Sequence, residues 1–164
     1  MNTSLLKKFT VAALLAGTFF TASAALKVGD TLPDLAGFKL EGQLPDPLKG
    51  KIVIVDFWAS WCLPCAKSFP VLDELQKKYG DRIVVLAVNV DEKKSKMEGF
   101  LAKHSVSFAV VRDAEQKLVA VVEPATMPTS FILDGGGRVR FLHNGFHGED
   151  TRKEYISEIE SLLK

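Results

Sequence analysis

Apolar residues along this chain of 164 residues switch between two spacings. Lys51-Ile52-Val53-Ile54-Val55-Asp56-Phe57-Trp58 is an almost unbroken β-branched and aromatic run, the pattern of a buried strand. From Leu63 onward Phe69, Leu72, Leu75 and Tyr79 recur at three- and four-residue steps and predict an amphipathic helix, closed by Gly80 and Asp81. Pro70 removes a backbone donor inside that helix and predicts a kink. Residues 83–90 read as a second strand, and Met97, Phe100, Leu101 and His104 mark a helix after it. Residues 108–111 read as a further strand, and residues 116–122 as a short helix with Leu118, Val119 and Val122 inward. Residues 129–133 and 139–142 are two strands joined by Asp134-Gly135-Gly136-Gly137, a hairpin signal. Thr151 with Glu154 reads as a capping box for a last helix that turns Tyr155, Ile156, Ile159, Leu162 and Leu163 toward the core. This order predicts an α/β fold, a mixed central sheet with helices on both faces. Residues 28–47, rich in Pro, Gly and Asp, read as a short hairpin or loop packed on one sheet edge.

The start of the chain follows a different logic. Lys7 and Lys8 precede an uncharged run from Phe9 to Phe20, and Ala22-Ser23-Ala24 supplies small residues for cleavage before Ala25. Residues 1–24 therefore read as a secretory signal peptide cleaved after Ala24, leaving residues 25–164 as one domain. The apolar run is shorter than the roughly 20 residues of a membrane span, so no lasting span is expected. A net charge of +1 gives no sign of a nucleic-acid partner. Export into an oxidising space makes a disulfide the default state of the cysteines.

Cys62 and Cys65, in Trp61-Cys62-Leu63-Pro64-Cys65, are the only two cysteines. A disulfide closing so short a loop constrains little chain entropy and suits exchange better than stapling. The pair falls where the first strand turns into the first helix, with Cys62 at the helix N-terminus, where unpaired N–H groups and the macrodipole favour a thiolate. Cys62 is expected to be the exposed nucleophile of lowered pKa, and Cys65, a turn further in, the resolving thiol. A structural zinc site would need a second ligand pair of the same kind, which the sequence lacks. Copper(I) bound by the two thiolates is the alternative from a different functional class. It would gain from a histidine reaching the pair; His143 and His147 flank a turn, and His104 reads as a helix-boundary residue. Trp61 is expected to be exposed at the rim of a binding surface, with Trp58 packed against the sheet.

The stretch from Val55 to Cys65 resembles the active-site segment of thioredoxin-fold proteins. Val28-Gly29-Asp30-Thr31-Leu32-Pro33-Asp34, Val88-Asn89-Val90-Asp91-Glu92 and Met127-Pro128-Thr129-Ser130-Phe131, in that order, are similar to the secreted TlpA/ResA-like branch. The resemblance implies a thioredoxin-like fold with an N-terminal extension and a central strand-helix insert, and thiol-disulfide exchange in the periplasm without a cofactor or metal. It implies protein substrates, and a membrane thiol electron donor if the protein acts as a reductase, as in cytochrome c maturation or copper-site assembly; the protein is expected to be a monomer. Pro128 matches the family's cis-proline beside the disulfide, and Met127 the residue whose backbone pairs with substrate. Asp56 matches a buried acid behind the resolving cysteine, and Glu92 the active-site glutamate of the ResA-like branch. Two departures stand out. Many members of that branch carry Asn at the Asp56 position, which leaves open which acid serves Cys65, and Glu123-Pro124-Ala125-Thr126 departs from the approach to the cis-proline typical of cytochrome c maturation reductases. Ala59 replaces the Thr or Ser that a peroxiredoxin places three residues before its reactive cysteine, so peroxidase activity is not expected.

Overall fold

The structure is a computed structural model and describes residues 25–164; the leader read over residues 1–24 lies outside the described residues. Two strands carry the centre: β1 (Ile52–Trp58) and β2 (Ile83–Asn89) are buried at every position. Such continuous burial is what parallel strands covered on both faces require. β3 (Ala109–Arg112), β4 (Thr129–Leu133) and β5 (Val139–Asn144) complete a five-stranded sheet in the order β3-β2-β1-β4-β5. β1, β2 and β3 run parallel, while β4 is antiparallel to β1 and β5 to β4. β5 runs two residues beyond its sequence-predicted end at residue 142.

The helices are α1 (Leu63–Tyr79), α2 (Lys94–Leu101), α3 (Lys117–Val122) and α4 (Glu149–Leu162). Strand alternation sends Ile52, Ile54 and Trp58 to one face, where Phe69, Leu72 and Leu75 of α1, Met97 of α2 and Tyr155 and Ile159 of α4 bury them. Val53, Val55 and Phe57 point to the other face, covered by Leu118 and Val122 of α3 and by the N-terminal segment. The predicted inward positions of α1 are all buried, and the helix is continuous through Pro70, which lies on its exposed side. β3 and α3, between α2 and β4, form the central strand-helix insert.

Two expectations are corrected. The N-terminal stretch is not confined to one sheet edge, as the expected short hairpin or loop would be. It bridges Thr31 to Arg138 just before β5 and Glu41 to Arg112 of β3, and Leu32, Phe38, Leu40, Leu44 and Leu48 pack across the face between them. A sheet this size leaves its outer strands with unpaired groups, and one extended segment occupies both outer strands here. Gly42 is required by the crossing: its φ is +122°, and a Cβ there would lie 2.8 Å from the Val110 carbonyl oxygen. The second correction concerns α4. Its N-cap is Gly148 and Thr151 lies inside the helix, so there is no Thr151–Glu154 capping box. The Thr151 hydroxyl is turned inward and accepts from the His147 amide at 3.0 Å, holding the preceding turn instead.

Candidate active site

β1 ends at Trp58, which is fully buried between Phe69 (ring centroids 4.8 Å apart) and Phe100 (4.7 Å). The chain then makes one turn, the Cys62 amide donating to the Ala59 carbonyl at 3.1 Å, and enters α1. Cys62 is the N-cap of that helix, and its sulfur accepts from the Cys65 amide at 3.2 Å, satisfying one of the orphan donors of the first turn. Cys62 and Cys65 form a disulfide with Cα atoms 5.3 Å apart. The expectation of an exposed Cys62 is corrected: it is 5% accessible and Cys65 is 0%. Bonded to Cys65, it lies in the apolar cluster that also holds Ala59 and Trp58. Its neighbours are the exposed ones. Trp61 and Leu63, 73% and 69% accessible, flank Cys62 as an apolar rim and are the most exposed large hydrophobic side chains among the described residues.

The turn before Cys62 is held from the loop that follows β2. Asp91 is buried and accepts from the Ser60 amide and hydroxyl, both at 2.9 Å, and from the Asn89 side-chain amide at 2.8 Å. Three successive carbonyls of the same loop are fixed by side chains from the insert: Gln116 donates to Val90 at 2.7 Å, and one Arg112 nitrogen donates to Asp91 at 3.1 Å and Glu92 at 2.9 Å. Arg112 is itself clamped by both carboxylate oxygens of Glu41 at 3.1 and 2.9 Å. The Glu92 side chain is exposed and lines a shallow groove with Trp61, Lys93, Lys96 and Gln116.

Across the sheet, Phe57 pairs with Thr129, which places Met127 and Pro128 beside the end of β1 from which the cysteines follow. The Met127-Pro128 bond is cis, Pro128 is buried and Met127 half-buried. Asp56, one residue before Phe57, is fully buried and faces the side of the sheet covered by α1 and α4. Its Oδ1 accepts from the Ser130 hydroxyl at 2.5 Å, and Ser130 is 2.8 Å from the Tyr155 hydroxyl. Burial pushes the Asp56 carboxyl from its ordinary 3.8 up to about 7, against the Ser130 hydrogen bond, which pulls it down. Burial likewise raises Tyr155, helped by the Asp56 charge. Among the described residues two buried side-chain polar atoms have no hydrogen-bond partner, Asp56 Oδ2 and Trp58 Nε1.

Residues 50–139 match the thioredoxin-like family model, more than half of the chain. The chain belongs to the thioredoxin-like family. It is 33% identical over 146 residues to the thiol-disulfide oxidoreductase ResA of Geobacillus thermodenitrificans, covering 87% of this chain and 83% of that protein. It is 31% identical over 149 residues to the thioredoxin-like protein YneN of Bacillus subtilis, covering 87% and 85%. A candidate thiol:disulfide interchange protein, DsbE, from Chlorobium tepidum shares 34% of its sequence, with a TM-score of 0.77 over 85% of this chain and all of that one.

The thioredoxin-like chain is thus a thiol-disulfide oxidoreductase of the ResA-like branch, with the Cys62–Cys65 pair as its redox centre. The copper(I) alternative gains nothing from the histidines. His143 gives Nε2 to Glu158 at 2.7 Å, has Nδ1 3.4 Å from Glu154 and packs edge-on against Tyr155. His104 stacks on Phe100 at 4.3 Å. Among the described residues no three His, Cys, Asp or Glu side chains group as a metal site. Ser60, Asp91, Arg112, Gln116, Ser130 and Tyr155 were not singled out for the site by sequence. Ser130 carries a partial signal there, one of two hydroxyls at the head of a strand that continues as Phe131-Ile132-Leu133.

Proposed function

We propose that this protein is exported, works in the periplasm and reduces disulfides in client proteins. Among the described residues no helix is long and apolar enough to cross a membrane, and the leader read over residues 1–24 supplies the route of export. The client docks on the rim made by Trp61 and Leu63 and pairs its backbone with Met127 beside Pro128. Cys62, as thiolate, attacks the client disulfide and forms a mixed disulfide; Cys65 then attacks Cys62 and releases the reduced client. A membrane thiol donor returns the pair to the dithiol.

The observation that carries the exchange mechanism, in either direction, is the buried Asp56, on the sheet face that α1 covers with the inaccessible Cys65. A thiol with no access to water must give its proton to a group inside the protein, and a carboxyl with a pKa of about 7 is matched to that task at neutral pH. Glu92, exposed on the Trp61 groove, is better placed to meet the client than to serve Cys65. The departure at residues 123–126 favours a broader set of clients over haem-attachment cysteines alone.

The test is the Cys62/Cys65 reduction potential, from glutathione-buffer equilibration of the purified protein and counting of free thiols. A value near thioredoxin's, about −270 mV, is expected; one near −120 mV would make the protein a disulfide-forming oxidant and overturn the reductase direction.

A further inference from the structure

Asp56, Ser130 and His143 occupy one cross-strand row, Asp56 opposite Ser130 and Ser130 opposite His143. The position on β2 that completes the row is Ala87, so no charge reaches Asp56 from that strand. α1 brings Cys65, and α4 brings Tyr155, behind which stand Glu154, Glu158 and His143. Of these groups, only the Ser130 hydroxyl touches the Asp56 carboxyl through a hydrogen bond. A serine hydroxyl has one proton. When it is given to ionised Asp56, the 2.8 Å contact between Ser130 and Tyr155 requires Tyr155 to be the donor. The result is a directed chain, Tyr155 O–H to Ser130 Oγ, Ser130 O–H to Asp56 Oδ1, which ends on a carboxylate whose other oxygen, Oδ2, is buried and unpartnered. Such chains polarise each member and hold it in one orientation.

We propose that Ser130, backed by the Tyr155 hydroxyl, is the positioning residue for Asp56: it pins Oδ1, leaves Oδ2 as the oxygen that takes a proton, and sets the pH at which that proton is taken. Within the exchange cycle proposed above, on which this consequence rests, the step balances. The Cys65 thiol gives its proton to Asp56 Oδ2 while its sulfur attacks the Cys62 sulfur. The Cys62–Cys65 bond forms, the bond from Cys62 to the client sulfur breaks, the client leaves as a thiolate, and the two electrons lost by the cysteine pair reside on the client. Ser130 touches none of the reacting sulfurs and acts through Asp56 alone. The upward shift of Asp56 by burial, opposed by Ser130, agrees in direction.

The experiment is a pH titration of the Asp56 carboxyl by carbon-13 NMR in the oxidised full chain, the resonance assigned by its loss in Asp56→Asn. It is paired with the pH–rate profile for reduction of a model protein disulfide. Ser130→Ala is expected to raise the Asp56 midpoint by about one to two pH units, the amount set by losing one hydrogen bond to a charged carboxylate. Tyr155→Phe should raise it by less, Ser130→Thr should restore it, and the rate profile should move with the titration. An unmoved midpoint in Ser130→Ala, or a Ser130→Thr variant displaced as far as Ser130→Ala, overturns the proposal. A titration that moves while the rate profile of the active variants stays still overturns the link to the exchange step. A wild-type protein that reduces no disulfide would overturn the exchange reading instead, and the titration would still judge Ser130.

Discussion

Asp56 should make the protein less stable in neutral solution than in mild acid, and Asp56→Asn should remove that dependence. The carboxyl is fully buried and its pKa rises from 3.8 in the unfolded chain to about 7 in the fold. Between those values the folded state binds more protons than the unfolded state, so stability falls as pH rises; the loss starts as pH passes 3.8 and is complete above about 7. A difference of about three pH units is worth about 4 kcal/mol in full, of which about 2 to 3 kcal/mol falls between pH 5 and pH 8. Asparagine keeps an oxygen for Ser130 but puts an unpartnered amide where Oδ2 lies, at a cost of about 1–3 kcal/mol that does not depend on pH. Glu158, also raised by burial, loses stability in the same direction, but it is present in both proteins and cancels in the comparison. The assay is urea unfolding of oxidised wild type and Asp56→Asn at both pH values. With a slope of about 1–3 kcal/mol per molar urea, the gap between the two midpoints should change by about 1 M or more in favour of Asp56→Asn on going to pH 8. A gap that is equal at the two pH values would refute the claim that this buried acid ionises within the fold in that range.

The remaining predictions concern the redox pair, its support and its rim. Cys62→Ser should abolish disulfide reduction, whereas Cys65→Ser should accumulate client joined to Cys62, read on non-reducing gels and by mass; absence of trapped species in Cys65→Ser would count against the order of attack. Arg112→Met leaves the Asp91 and Glu92 carbonyls without their donor and should cost about 2–3 kcal/mol in urea unfolding, discounted because Glu41 can turn to water. A loss under about 0.5 kcal/mol, the range of an ordinary surface change, would make the clamp incidental. Trp61→Ala removes a side chain 73% accessible, so stability should change by less than about 0.5 kcal/mol while KM for a protein disulfide rises several-fold; an unchanged KM would remove Trp61 from the docking rim.

Much of the architecture was legible because burial on both sides of a sheet leaves a strong mark. β1 and β2 are apolar at nearly every position, and the inward stripes of α1 and α4 recur at helical steps. The redox pair was legible for a different reason: with two cysteines in the chain, three positions apart, only one pairing exists. The failures have two causes. The N-terminal segment is defined by partners far away in sequence, Arg112 and Arg138, of which local pattern carries no trace, whereas α4 starts at Glu149 after Gly148, so Thr151 falls inside the helix and its hydroxyl holds His147 four residues back instead of capping.

The supports of the site were less legible than the site itself, because strand register and helix packing bring them together. Asp56 is a lone polar residue in an apolar strand, whereas Ser130 follows Thr129 and His143 precedes Asn144; Asp56 and His143 lie 74 and 15 residues from their hydrogen-bond partners Ser130 and Glu158. Only the register, Asp56 against Ser130 and Ser130 against His143, turns three separate positions into one row, and only the packing of α4 puts Tyr155 over it. Because a shift of one residue in β4 would send Ser130 to the opposite face and put Thr129 or Phe131 opposite Asp56 in its place, strand register and acid–base chemistry are fixed by the same pairing. A buried carboxyl left without the serine would be harder to ionise, so the apolar residues that specify the register also decide the pH at which Asp56 can accept a proton.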